Sequence, residues 1–150
     1  MGGLEVGGRR FFVYTRAWAA PFVHTAAFLV DHTDGEKPVR LFESASIMLY
    51  LCEKYDTQKH FLPDDRRTEI LNWLFWLQGS APFVGGGFGH FYNYAPYKIE
   101  YAIDRYSMET KRLLDVLDRR LGGSEDGPFS GGAYLVGNSC TLADMAVWPW

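Results

Sequence analysis

The sequence predicts an α+β protein in which a short β-β-α unit precedes an all-helical domain. Two apolar, strand-like runs lie at residues 26–31 and 38–42, with turn-forming residues between them. After them, apolar side chains recur at helical spacing along most of the remaining chain. The composition, with 47% hydrophobic and 22% charged residues, is that of a globular protein able to form a core.

The β-β-α unit is predicted to occupy residues 26–56. Asp and Gly within residues 31–35 tolerate left-handed backbone and supply the turn of a β-hairpin. The helix that follows begins at Ser44 or Ala45, and its apolar residues recur at helical spacing: Ile47, Tyr50, Leu51 and Tyr55. Residues 1–25 show neither strand alternation nor helical periodicity and stay unassigned.

The second domain is predicted to be helical throughout, over residues 65–150. Residues 57–64, which are polar and contain Pro63, form a linker before it. The first helix is expected over residues 66–78, and its apolar residues on nearly all faces predict burial.

Glycine and proline mark the rest of this domain. Residues 85–87, all glycine, are predicted to break the helical pattern, and Pro96 to lie in the first turn of a long helix that reaches Leu121. The glycines also suit a close backbone approach to a neighbouring helix or a ligand. Residues 122–132 form a glycine-rich loop. A capped helix starts at Thr141.

Charge and cysteine content narrow the class of protein. A net charge of −3, with basic residues interleaved among acidic ones, predicts no nucleic-acid partner. Cys52, Cys140 and the four histidines show no metal-ligand spacing, so we predict no metal. No run approaches the roughly 20 apolar residues of a membrane helix, and no secretory signal is recognisable. We therefore predict a cytoplasmic protein with reduced thiols and no membrane partner.

Glu43 and Ser44 stand where a predicted strand passes into a predicted helix. Backbone N–H groups and a hydroxyl at the positive end of a helix dipole are well placed to bind a carboxylate. The Glu43 side chain is suited to pair with an ammonium group beside it. The alternative is structural, with Ser44 or Ser46 capping the helix and Glu43 favouring its first turn. The local pattern leaves both interpretations open.

Four stretches carry a family resemblance: residues 40–47 (RLFESASI), 72–79 (NWLFWLQG), 85–92 (GGGFGHFY) and 113–118 (LLDVLD). In combination they resemble the glutathione transferase superfamily, and most closely its bacterial nu-class branch, the glutathione-dependent disulfide-bond oxidoreductases. The resemblance implies a partial thioredoxin-like half-domain followed by the helical C-terminal domain of that superfamily. It also implies glutathione as cosubstrate, a small disulfide or electrophile as second substrate, and a homodimer.

The resemblance implies that four residues bind glutathione: Glu43, Ser44, Gln78 and Arg105. Without it, Arg105 reads as a solvated helix charge paired with Glu109. Thr141 and Asp144 resemble the structural N-capping box of the superfamily, whose role is in folding. No residue that activates the glutathione sulfur is identified, so the catalytic residue is unknown.

The sequence departs from the family pattern at both ends. Residues 1–25 are too few for the β-α-β unit that opens a complete member, and Ala26-Ala27 replace its Ile-Pro. At the other end, the sequence stops within the capped helix. We therefore expect a truncated member of an enzyme family that reduces disulfides with glutathione or transfers glutathione to electrophiles. The alternative is a catalytically inactive remnant that acts at most as a binding or dimerisation module.

Overall fold

The computed structural model describes residues 2–6, 9–16, 26–33, 37–123 and 131–150. The chain divides into two compact units, Met1–Thr57 and Gln58–Trp150. The first contains a sheet and one helix, and the second is built from helices, which confirms the predicted α+β class.

The sheet of the first unit is an antiparallel meander whose four strands lie in chain order. The strands are β1 (Gly2–Val6), β2 (Arg9–Arg16), β3 (Ala26–Asp31) and β4 (Val39–Phe42). The predicted hairpin is confirmed, since β3 and β4 pair with Phe28 opposite Phe42. Residues 34 and 35 of its predicted turn lie outside the described residues.

Strands β1 and β2 lie in the segment for which the sequence predicted no element. They pair with each other, and β2 also pairs with β3, from Phe11 opposite Asp31 to Arg16 opposite Ala26. A strand forms because a partner strand accepts its hydrogen bonds, and intrinsic propensity contributes less. Phe11 to Thr15 of β2 are strand-forming residue types, but they lack the alternation of apolar and polar residues by which the sequence analysis recognises a strand.

Helix α1, Ser44–Tyr55, has the predicted bounds and is fastened to β3 by the buried carboxylate of Asp31. Five donors converge on this carboxylate: Tyr50 Oη (2.7 Å), Lys54 Nζ (2.8 Å), Tyr55 Oη (2.6 Å), and the Thr33 N–H (2.8 Å) and hydroxyl (2.6 Å). Burial acts to raise the pKa of Asp31, but these hydrogen bonds outweigh it and hold the pKa well below its usual range. The charged carboxylate thus fixes the C-terminal half of α1, whereas Ser44 lies at the N-terminal end.

The second unit begins with a short 3₁₀ turn and continues through four helical segments. They are α2 (Arg67–Pro82), a π-helix (Phe83–Tyr94), α3 (Glu100–Gly122) and α4 (Leu142–Val147). Its buried apolar residues come from α2, α3 and α4 and from the segments before α2 and α4: Leu62, Ile70, Trp73, Leu74, Leu77, Ala81, Leu113, Leu135, Val136, Leu142, Ala143 and Ala146. Among the described residues, no helix is long and apolar enough to cross a membrane.

The prediction that residues 85–87 break the helical pattern is wrong. Pro82 lacks an N–H donor, and after it the chain stays helical in the wider π pattern, as in the 2.7 Å bond from the Ala95 N–H to the His90 carbonyl. Gly87 is buried against α3, and a Cβ atom built on it would lie 2.3 Å from Cδ1 of Tyr106. The predicted close approach of glycine backbone to a neighbouring helix is therefore confirmed at Gly87.

Two other predictions for the helical domain are wrong. Pro96 does not lie in a helix: α3 begins at Glu100 after extended backbone at Ala95, because a residue before proline is disfavoured in the helical region. The prediction that the apolar residues of α2 are buried fails at Phe75, which is 68% exposed. In the predicted loop, residues 124–130 lie outside the described part of the chain.

Hydrogen bonds to charged side chains connect the segment before α4 to the helices around it. The carbonyl of Leu135 accepts a 2.6 Å hydrogen bond from Nε of the buried Arg120, and Nη2 of Arg120 pairs with Glu69 Oε1 at 2.7 Å. The N–H of Leu135 donates to Asp144. Leu135 is thereby linked to α2, α3 and α4.

Candidate functional site

Glu43 occupies the junction between β4 and α1 with an unusual backbone. Its φ of 70° and ψ of 126° put a non-glycine residue in the left-handed half of conformational space. Such a conformation costs on the order of 1–3 kcal/mol and is typical of ligand-binding and catalytic sites. The strain therefore lies at the point where the sequence predicted a carboxylate-binding helix start.

The start of α1 is suited to receive an anion. The Ile47 N–H donates to the Glu43 carbonyl at 3.0 Å and closes the first turn, so the N–H groups of Ser44, Ala45 and Ser46 precede the first intrahelical bond. Among the described residues, no side chain caps this helix and its first turn holds no acidic residue. Ser44 is the first helical residue rather than the cap, and it is exposed.

The other two residues implied by the resemblance lie in the second unit. Gln78 is half-buried on α2, and Arg105 lies on α3 with its side chain 52% exposed. Nη1 of Arg105 lies 3.5 Å from Oε2 of Glu109, so the ion pair that the sequence predicted between them forms. The structure thus brings Glu43 and Ser44 together as neighbours in one unit and places Gln78 and Arg105 on α2 and α3 of the other, with the π-helix between these helices in the chain.

The contact that sequence reasoning missed on α3 is the one between Glu109 and Arg112. Nε and Nη2 of Arg112 donate to Oε1 of Glu109 at 3.0 and 2.5 Å. Residues three apart lie side by side on a helix, so the sequence could have indicated this pair. Spacing alone does not show which arginine is closer to the shared carboxylate.

Neither cysteine has the environment of a reactive thiol. Burial, and then the nearby Asp56 and Glu53 carboxylates, raise the pKa of Cys52. Burial of the sulfur and the Asp144 carboxylate raise the pKa of Cys140, although the residue as a whole is exposed. Because the thiolate is the nucleophile, both cysteines are poorly suited to attack a disulfide at neutral pH.

Aromatic side chains crowd the π-helix and the start of α3. The rings of Phe91 and Tyr106 stack with centroids 5.4 Å apart, and Phe88 stacks on Tyr92 at 5.1 Å. Tyr94, the last residue of the π-helix, is largely exposed. These rings provide apolar contact area, to which the tyrosines add polar hydroxyl groups.

Thr141 and Asp144 lie together at the start of α4, in a capping box. Oδ2 of Asp144 accepts hydrogen bonds from the Thr141 N–H at 2.8 Å and the Thr141 hydroxyl at 2.9 Å. In the described part of the chain, no three His, Cys, Asp or Glu side chains are grouped as metal ligands would be.

Comparisons with known proteins give named relatives, although no family model matches the chain. The disulfide-bond oxidoreductase YghU of Escherichia coli (strain K12) is 58% identical over 124 residues, which cover 81% of this chain and 39% of that protein. The disulfide-bond oxidoreductase YfcG of the same strain is 43% identical over 126 residues, which cover 81% of this chain and 54% of that protein.

A solved structure is similar over the same share of the chain. It is the glutathione transferase YghU from Streptococcus pneumoniae ATCC 700669, complexed with glutathione, with a TM-score of 0.70 and 52% identity. The match covers 83% of this chain and 44% of that one. The chain therefore spans about half the length, or less, of the relatives that it matches.

Proposed function

Because this chain belongs to the glutathione transferase superfamily, we propose that it binds glutathione and forms part of a glutathione-dependent disulfide-bond reductase. The binding residues are Glu43, Ser44, Gln78 and Arg105. The observation that carries the proposal is the left-handed backbone of Glu43 at the exposed start of α1. Backbone strain of this kind is concentrated at ligand and active sites, so the conformation of Glu43 supports the proposal.

Each binding residue has a role that follows from its chemistry. The N-terminal N–H groups of α1 and the Ser44 hydroxyl receive the carboxylate of the γ-glutamyl group. The Glu43 carboxylate pairs with the ammonium group of that same residue. Gln78 supplies neutral hydrogen bonds, and Arg105 pairs with a carboxylate of the tripeptide through its planar guanidinium.

The reacting sulfur is that of glutathione. Its thiolate attacks one sulfur of a small disulfide, a mixed disulfide forms, and the second sulfur leaves as a thiolate that takes up a proton. The raised pKa values of Cys52 and Cys140 support this assignment, since neither thiol competes as a nucleophile. Transfer of glutathione to an electrophilic carbon uses the same thiolate. We assign no residue of this chain to activating it.

We also propose that the protein is a cytoplasmic homodimer. Reduced thiols fit that compartment. The exposed Tyr97 and Tyr101 belong to a residue type enriched at protein interfaces. Light scattering after size exclusion tests the dimer, and a mass equal to one chain at micromolar concentration contradicts it.

Replacement of Ser44 by Ala tests the binding assignment. Loss of the hydroxyl is expected to weaken glutathione binding by about ten- to a hundredfold in calorimetry, as for a hydrogen bond to a charged group. Ser46→Ala, two residues further into the same helix, is the matched control and is expected to bind as the unchanged chain does. Equal affinity of Ser44→Ala and the unchanged protein removes Ser44 from the site.

The second candidate function is that of a binding module without catalytic activity. An apolar groove of about 570 Å³ beside α4 favours it, with Leu117, Leu121, Leu135 and Trp148 among its lining residues. Trp148 lines this groove and is 90% exposed, and contiguous exposed apolar surface marks interaction sites. Glutathione binding without thiol transfer in a coupled assay supports the binding module, and binding with turnover supports the enzyme.

A further inference from the structure

Arg105 belongs to a charged triad on one face of α3. Arg105, Glu109 and Arg112 are spaced four and three residues apart, which puts them on the same side of a helix. Both arginines are about half exposed, whereas the Glu109 side chain is only 15% exposed. A single carboxylate therefore lies between two guanidinium groups, and the triad carries a net charge of +1.

The carboxylate is shared unequally. Arg112 donates two hydrogen bonds to Oε1 of Glu109, at 3.0 Å from Nε and 2.5 Å from Nη2. Arg105 lies 3.5 Å from the other oxygen, Oε2. The hydrogen bond from Arg112 is the largest influence on the pKa of Glu109 and lowers it, ahead of the weaker contributions from Arg105. Glu109 is thus held mainly by Arg112.

Glu109 and the carboxylate of a ligand compete for the guanidinium of Arg105. A guanidinium that forms a close pair with a neighbouring carboxylate has to break that pair before it binds the carboxylate of a ligand. While Arg112 holds Glu109, Arg105 is left in a looser contact and its fork of donors stays accessible to solvent. If Arg112 is removed, both oxygens of the Glu109 carboxylate can accept hydrogen bonds from Arg105, and the two side chains form a close pair.

We propose that Arg112 is a positioning residue that keeps Arg105 available to the carboxylate of a ligand by holding Glu109 away from it. The inference rests on the proposed function, in which Arg105 binds glutathione. Arg112 itself does not touch the ligand in this scheme, so its effect is transmitted through Glu109.

Three variants test the proposal by glutathione calorimetry at fixed, low ionic strength. Arg112→Gln is expected to weaken binding about two- to fivefold, the range expected for exposed ion pairs. Glu109→Gln is expected to bind at least as tightly as the unchanged chain. The double variant Glu109→Gln/Arg112→Gln is expected to recover the affinity that Arg112→Gln loses. A role of Arg112 in folding alone does not predict that recovery.

A matched control separates this effect from a general loss of positive charge. Arg119 lies on the same helix and pairs with Asp115 at 2.9 Å, outside the triad. Arg119→Gln has the same charge change and is expected to leave the affinity unchanged. Weakening by Arg119→Gln as large as that by Arg112→Gln overturns the proposal, as does an unchanged affinity of Arg112→Gln.

Arg105→Gln distinguishes failure of this inference from failure of the proposed function. If Arg105→Gln weakens binding and Arg112→Gln does not, the binding site stands and the role of Arg112 is wrong. If Arg105→Gln has no effect, Arg105 is not a glutathione contact. In that case, and also if the chain binds no glutathione, the NMR signal of the Arg105 Nε–H tests whether Arg112 keeps Glu109 away from Arg105. Arg112→Gln is expected to shift it and slow its hydrogen exchange, and an unchanged signal overturns the inference.

Discussion

The N–H of Leu135 donates a 2.7 Å hydrogen bond to Oδ1 of Asp144, and Oδ2 of the same carboxylate accepts both polar hydrogens of Thr141. One side chain therefore starts α4 and also holds the segment that leads into it. The carbonyl of Leu135 is bonded in turn to the buried Arg120. The backbone of Leu135 is thus fixed on both sides by charged groups.

Asp144→Ala is expected to lower the free energy of unfolding of the second unit. The change removes the acceptor of three hydrogen bonds and leaves the hydroxyl hydrogen of the buried Thr141 without its acceptor, a loss of about 1–3 kcal/mol. Urea unfolding followed by tryptophan fluorescence measures it. Asp118→Ala, at an exposed position on α3, is the control, and a difference between the two variants below about 0.5 kcal/mol contradicts the expectation.

Gly87→Ala is expected to destabilise the contact between the π-helix and α3. The added Cβ lies within 2.3–2.9 Å of three atoms of the Tyr106 ring, and that ring is stacked on Phe91. Overpacking of this kind costs about 1–3 kcal/mol. Gly86→Ala supplies the comparison, since no atom lies within 4 Å of its added Cβ. Equal unfolding free energies in the two variants show that Tyr106 moves aside without cost.

Asp31→Asn is expected to loosen α1 from β3 in a pH-dependent manner. Loss of the charge weakens hydrogen bonds from Lys54 and two tyrosines, at a cost of about 1.5–3 kcal/mol at neutral pH. The folded pKa of Asp31 is depressed, so its stabilising contribution is complete above the unfolded pKa of about 3.9 and is lost as pH falls below it.

Hydrogen exchange of the α1 amides at several pH values provides the measurement for Asp31→Asn. The difference between the variant and the unchanged chain is expected to be constant from pH 5 to 7 and to narrow below about pH 4. A difference that is the same at pH 3 and pH 6 contradicts the assigned role of the Asp31 charge.

The elements that carry a local signal were predictable from the sequence. Ile47, Tyr50 and Tyr55 mark α1 by their spacing, and the hairpin follows from two apolar runs around a turn. The π-helix was not predictable, because glycine lowers helix propensity locally while the contact of Gly87 with Tyr106 is tertiary. β2 likewise exists through its pairing with β3.

Some features of the candidate site could be predicted from the sequence, and others could not. The positions of Glu43 and Ser44 between a strand and a helix follow from the sequence, and so does the spacing of Thr141 and Asp144. The positive φ of Glu43 does not, because glycine or asparagine is the residue expected in such a conformation. Nor does spacing reveal that Glu109 is held by Arg112 more closely than by Arg105.

The backbone conformation of Glu43 implies a conflict between the stability of the first unit and the binding of its ligand. Glycine adopts a φ of 70° without steric penalty, so Glu43→Gly is expected to keep the turn, relieve the strain and make the first unit harder to unfold. The same change deletes the carboxylate that is assigned to the ammonium group of glutathione. Selection for robustness alone would therefore favour glycine at this position, and a protein engineered only for heat resistance would be expected to lose its ligand here first.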